Sequence, residues 1–239
     1  MRHGMSAGIE VPHSWGAISA RIDAEGGLAL LLGASDSGKT TLALWLLHAL
    51  ATAGRRVAFL DGDVGQSTLG PPATAGLAIA AVPPTDQTLH PIVLRFIGAV
   101  SPAEHMLPLA VALKRLAEKA CAMGADVSLV DTTGMVLGPA GRRLKFHKIE
   151  LLAPQHLIAL QGDGELEPIL RLFEGRKRMA VYRLPVCPQV KPRTPEVRRI
   201  YRAQRFFDYF QAACTVEISL HEVGVQGSWV QGGGVFNRS

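Results

Sequence analysis

GASDSGKTT, residues 33–41, is the stretch on which the reading of this chain turns. Gly33, Gly38, Lys39 and Thr40 fit the spacing G-x-x-x-x-G-K-[ST], and the flanks give the match its force. The run LALLLG (28–33) ahead of it reads as a buried strand, and KTTLALWLLHALATAG (39–54) behind it reads as a helix stopped at Gly54. A glycine-bearing loop between strand and helix offers backbone N–H groups and the positive end of a helix dipole, which together cradle phosphates. Lys39 then reaches the β/γ oxygens, and the Thr40 hydroxyl is placed for Mg²⁺. Gly33, Ser35, Asp36, Ser37, Gly38, Lys39, Thr40 and Thr41 are the expected contacts of ATP or another NTP.

Outward from this loop, short apolar runs alternate with longer amphipathic ones, as in βαβ units. RVAFLDGD (56–63), LAIAAV (77–82), PIVLRFIG (91–98), DVSLVDTTG (126–134), HLIALQ (156–161) and RMAVYRL (178–184) read as strands. SPAEHMLPLAVALKRLAEKACAMG reads as a long helix capped by Ser101, and GRRLKFHKIELLA and ELEPILRLF read as further helices. TPEVRRIYRAQRFFDYFQAA reads as a helix capped by Thr194, with Pro195 at its first position. The expectation is an α/β P-loop NTPase fold, a mainly parallel sheet flanked by helices, in one domain over 1–239. Residues 1–10 read as a flexible tail and 215–239 as C-terminal strands.

A chain of 239 residues, 48% hydrophobic and 19% charged, has the composition of a compact soluble protein. Its apolar runs are too short or too interrupted to span a bilayer, the start lacks a signal-type segment, and Cys121, Cys187 and Cys214 form no C-x-x-C pair. These features point to a reducing cytoplasm and to no membrane partner. The net charge of +5 is unevenly spread: eleven Arg and Lys between 171 and 205 face only Glu174 and Glu196. Such a run suits phosphates or an anionic polymer, and equally a solvated helix face. Arg142, Arg143, Lys145, His147 and Lys148 form a second basic group, open to the same two readings, and Trp45 reads as core.

LVDTTG (129–134) is an apolar strand ending in Asp131, the expected Walker-B carboxylate behind the Mg²⁺ shell. LDGDVGQST (60–68) places Asp61 and Asp63 two apart, so that in a strand both would look into the crevice beyond the strand ends. A carboxylate there would hold an attacking hydroxyl in line with the γ-phosphate and accept its proton late; with water in that place the outcome is hydrolysis. The pair read as a turn-shaping device is a third possibility. No N/T-K-x-D motif follows HLIALQGDGE, and Ala34-Ser35 replace the second lysine of ParA- or MinD-like loops, so both of those P-loop classes lose weight.

Taken together, GASDSGKTT, DGDVGQSTLGPP, FIGAVSP, DTTGMVLGPAGRRLKFHKIELLAPQHLIAL and PRTPEVRRIYRAQRFFDYF resemble the polynucleotide 5′-hydroxyl kinases related to the cleavage and polyadenylation factor kinase and the ribosomal-RNA-processing kinase. The compact archaeal members are the nearest in style. The resemblance implies Asp63 as general base, Asp61 with Thr40 and Asp131 at the metal, and Lys39, Arg193 and Arg198 as catalytic cations, the two arginines on a lid at 190–212. It puts the substrate at Gln66, Thr133, Gly134 and Met135, where Met135 stands in place of a base-clasping tryptophan of the eukaryotic members. The implied partner is the 5′-OH end of RNA or DNA. An NTP hydrolase serving as a switch in RNA processing, and a nucleotide-stabilised RNA-binding module, are the competing readings.

Overall fold

The computed structural model describes residues 11–80, 89–103, 105–190 and 192–217. In chain order they form α1 (His13–Glu25), β1 (Gly27–Gly33), α2 (Lys39–Thr52), β2 (Val57–Gly62), β3 (Thr74–Ile79), β4 (Val93–Phe96), α3 (Met106–Ala122), β5 (Val127–Thr132), α4 (Gly138–Leu152), β6 (His156–Gln161), α5 (Glu167–Leu170), β7 (Ala180–Pro185) and α6 (Pro195–Phe210). One seven-stranded sheet runs β4-β3-β2-β5-β1-β6-β7. The pairings among β2, β5, β1, β6 and β7 are parallel, while β3 adds antiparallel to β2 and β4 antiparallel to β3. The sheet is therefore mixed and mostly parallel, as expected, with an antiparallel edge.

Successive side chains of a strand point to opposite faces, and here both faces are covered. Leu30, Leu32, Ala58, Leu60, Val130, Leu157 and Ala159 pack with α3, α4 and α5. Their neighbours Ala29, Leu31, Val57, Phe59, Leu129, Ile158 and Leu160 pack with α1 and α2. A central strand buried on two sides reads as a continuous apolar run, which is why LALLLG carries no alternation. β1 lies between β5 and β6, so the loop that follows it opens at the middle of the sheet's edge.

Three expectations are corrected. The long helix begins at Met106 with His105 as its cap residue, not at Ser101. Pro108 explains this: it lacks an N–H, which is tolerated in a helix's first turn and disruptive further in. Ser101 instead accepts the Ala103 N–H in a separate turn. A helix not expected, α1, precedes β1; its buried Trp15, Ile18 and Ile22 lie on one face, and Trp15 meets Trp45 of α2 at 5.6 Å between ring centroids. Trp45 is half-buried against the core rather than within it. The tail at 1–10 and most of the expected C-terminal strands lie outside the described residues, and 215–217 carry no strand.

No helix among the described residues is long and apolar enough to cross a membrane. Phe59, fully buried in the central part of the sheet, is expected to cost about 3–5 kcal/mol of stability as Phe59→Ala, measured by urea unfolding.

Candidate active site

The phosphate loop turns on two left-handed residues, Asp36 (φ 57°) and Gly38 (φ 88°), the latter capping α2. Asp is one of the few residues besides Gly that enters this region readily. A Cβ on Gly33 would lie 2.9 Å from the Leu160 carbonyl and overlap Ser37, so only glycine lets the loop leave β1 at this point. Lys39 is buried, and its Nζ donates to the Ala34 carbonyl at 2.6 Å and to the Ser37 hydroxyl at 3.4 Å. Burial lowers the Lys39 pKa, against the pull of Asp131 and Asp63. The Thr40 hydroxyl donates to Asp131 Oδ2, bringing two of the three expected metal donors into contact. Burial raises the Asp131 pKa, opposed first by Lys39 and then by the Thr40 bond.

Asp61 and Asp63 do not share a face. β2 ends at Gly62, so the alternation stops between them. Asp61 is fully buried: Oδ2 accepts the Ser67 hydroxyl at 2.9 Å and the N–H groups of Thr68 and Leu69 at 2.6 and 3.0 Å, while Oδ1 accepts the Asp63 N–H at 3.1 Å. Burial pushes its carboxyl up to about 7 despite these bonds from Leu69 and Ser67. Asp61 thus shapes the 63–69 loop from behind. Asp63 is half-buried; Oδ1 accepts the Gly65 and Gln66 N–H groups at 3.1 and 3.2 Å in a tight turn, and Oδ2 accepts no hydrogen bond from the described residues. Oδ1 shapes the turn, and the residue as a whole lines the pocket described below.

After Asp131 the chain passes close to the phosphate loop: a Cβ on Gly134 would overlap the Ser35 backbone. Thr133 is buried with its hydroxyl unpartnered among the described residues, and Met135 is half-buried. Two lysines of α4 depart from expectation. Arg142, Arg143 and His147 are exposed, but Lys145 and Lys148 are fully buried. Lys145 Nζ donates to the Thr132 hydroxyl at 2.8 Å and to the Thr133 carbonyl at 2.5 Å, pinning the backbone just past Asp131. Lys148 Nζ is sealed from solvent with no hydrogen-bond partner among the described residues. Their spacing resembled a basic surface; Asp63 and Asp131 favour the charged form of both lysines, against the larger effect of burial.

α6 stands against two loops and has no buried residue. Asp36 Oδ2 accepts the Arg193 backbone N–H at 2.9 Å and Arg198 Nη2 at 2.6 Å, and Oδ1 accepts Arg193 Nε at 3.0 Å. Burial works against the ionised Asp36, but these donors outweigh it and hold the carboxyl below its ordinary range. Further along, the Tyr201 hydroxyl donates to the Ser67 carbonyl at 3.1 Å, and Arg205 Nη2 donates to the Thr68 and Gly70 carbonyls at 3.2 and 2.8 Å. Phe207, Tyr209 and Phe210 are exposed.

These parts enclose one pocket of about 400 Å³. Ser35 to Thr41, Asp63, Gln66 and Arg193 line it as expected, joined by Thr68 and Tyr201. Gly33, Asp61, Asp131, Thr133, Gly134, Met135 and Arg198 do not border it. Pro12, Trp15, Leu160, Cys187, Gln189 and Val190 also line the pocket and were not anticipated. Only Trp15 left a trace in the sequence, through its spacing with Ile18 and Ile22.

The family described as mRNA cleavage and polyadenylation factor CLP1 P-loop matches residues 33–212, spanning the phosphate loop, both carboxylate motifs and α6. The chain belongs to this CLP1 P-loop family. It is 34% identical over 200 residues to the polyribonucleotide 5′-hydroxyl-kinase of Pyrococcus horikoshii, covering 83% of this chain and 54% of that protein. The corresponding kinase of Methanocaldococcus jannaschii is 37% identical over 205 residues, covering 84% of this chain and 55% of the relative. The CLP1 homologue of Anopheles gambiae is 29% identical over 79% of this chain and 46% of its own length. This member of the CLP1 P-loop family therefore spans about half the length of the archaeal relatives it matches. The solved Clp1p–Pcf11p complex shares the fold, with a TM-score of 0.66 at 15% identity over 87% of this chain and 55% of that one.

Burial lowers Lys148 to about 8, against the attraction of Asp63 and Asp131. From pH 8 to 10.5 the unfolded chain binds a proton that the folded chain releases, so this lysine makes stability rise with pH across that window. Lys148→Met removes that dependence. Its stability relative to the parent is expected to be highest below pH 8 and to decline toward pH 10.5, followed by denaturant titration at several pH values.

Proposed function

We propose that this chain is a polynucleotide 5′-hydroxyl kinase, transferring the γ-phosphate of ATP or another NTP to the 5′-OH end of RNA or DNA. One observation carries the reading: Lys39, Thr40 and Asp63 line the same pocket, so a phosphate cradle and an unengaged carboxylate oxygen share one space. The archaeal relatives, whose names state this activity for RNA, support it.

In the reaction the 5′-oxygen forms a bond to the γ-phosphorus while the bond to the departing ADP oxygen breaks, and the hydroxyl proton passes late to Asp63. Lys39 and Arg193 meet the phosphate charge, which spreads over the transferring oxygens in the loose transition state. Thr40 and Asp131, a hydroxyl and a carboxylate already in contact, suit a hard divalent cation and would hold Mg²⁺, which supplies charge neutralisation on the phosphates. Asp61, with both oxygens committed to protein donors, acts on the loop that carries Asp63 and leaves the metal to Thr40 and Asp131. Gln66 Oε1 and the Thr133 hydroxyl, buried without partners among the described residues, are polar groups suited to an acceptor. Met135 lies outside the pocket lining and has no aromatic face to stack on a base.

With γ-labelled NTP, label is expected on 5′-OH oligonucleotides, compared side by side for RNA and DNA. Asp63→Asn is expected to lower transfer by about 10²–10⁴-fold while leaving nucleotide affinity near the parent's. Label appearing only as free phosphate overturns the kinase reading in favour of a hydrolase.

A further inference from the structure

An acidic residue inside a phosphate loop is electrostatically adverse to a polyanion, so Asp36 needs a reason. It receives three N–H donors from two arginines 157 and 162 residues away in sequence. Its side chain is only 5% exposed, whereas those of Arg193 and Arg198 are 44% and 27% exposed. The charge balance of the trio is one carboxylate against two guanidiniums, a net positive group at the pocket wall.

We infer that Asp36 is a positioning residue for Arg193, with Arg198 as the brace that holds Asp36 itself. Arg193 is fixed twice, by its backbone N–H and by Nε, so its rotation is spent and its two terminal amino groups are left for the pocket that it lines. A long side chain held in advance loses less freedom when it meets a phosphate, and a misplacement of about 1 Å can cost about 10²-fold in rate. Arg198 grips the same Oδ2 from one helical turn into α6, and its Nε is buried with no partner among the described residues. Tyr201 and Arg205 anchor the same helix on the 67–70 loop, so the arginines are carried on an element held at both ends of the pocket. Aspartate suits the position because its two oxygens accept all three donors while its backbone occupies the left-handed region.

The inference rests on the kinase reading, and it has a sign that a plain charge effect lacks. Removing a carboxylate beside phosphates should only tighten anion binding and speed nothing down. If Asp36 positions Arg193, Asp36→Asn lowers kcat about tenfold in the parent, with nucleotide Kd within about twofold, and lowers it less than about twofold when Arg193→Ala is already present. Asp36→Gly, which relieves the backbone at that φ, is expected to give the same loss, with thermal melting confirming that each variant folds. The cycle is also read in nucleotide affinity through the fluorescence of Trp15, which lines the pocket and needs no acceptor. There Arg193→Ala is expected to weaken binding about fivefold in the parent and less than about twofold beside Asp36→Asn. Equal effects of Arg193→Ala in both backgrounds, or a kcat unchanged by Asp36→Asn, overturn the role. A parent that binds nucleotide but phosphorylates no 5′-OH end defeats the kinase reading instead, and the affinity cycle then decides the Asp36 role.

Discussion

Asp61 and Asp131 are register partners on the paired strands β2 and β5, two buried carboxylates side by side, and much of the site follows from keeping them there. Like charges in a low-dielectric interior repel strongly, and each must also be compensated for lost hydration. The fold answers with different means for each. Asp61 is wrapped by N–H and O–H donors from its own loop, while Asp131 is held by Thr40 and faces Lys39. Lys145 and Lys148 bring two further buried amino groups inward from α4, and burial lowers the pKa of both against the pull of Asp63 and Asp131.

This arrangement ties the loops around the pocket to the scaffold although they are not part of the sheet. Asp61 gathers 67–69, Lys145 pins 132–133, and Asp36 ties α6 to the phosphate loop. Each uses a charged group as an anchor for backbone donors or acceptors, which are stronger partners than neutral ones. The phosphate loop and the 67–70 loop are then linked by α6, whose first turn bonds Asp36 and whose later turns bond Ser67, Thr68 and Gly70. A transferring phosphoryl group needs little covalent help from protein, so rigid placement of charge is the main contribution such a scaffold makes.

Family membership narrows the chemistry more than the fold does. A P-loop on a mostly parallel sheet serves many reactions. The match over residues 33–212 includes Asp63, Gln66 and Arg193, which a generic nucleotide binder has no need to assemble around one pocket. Trp15 and Pro12 bring apolar surface to the pocket from the α1 region.

What could be read along the chain was whatever obeys a local rule. The phosphate loop was legible because strand, glycine spacing, lysine and helix must follow one another within a few residues. Thr194 and Pro195 marked the start of α6 for the same reason, and the buried strands announced themselves as apolar runs. Spacing misled where a neighbouring strand or helix set the environment. Asp61 and Asp63 looked equivalent until β2 ended between them, and Lys145 and Lys148 looked like surface cations but are fully buried. Asp36 looked like a nucleotide contact and emerged as the seat of two arginines more than 150 residues distant. Charge compensation acts through space between elements brought together by packing, and no one-dimensional pattern records which partner a buried charge will meet.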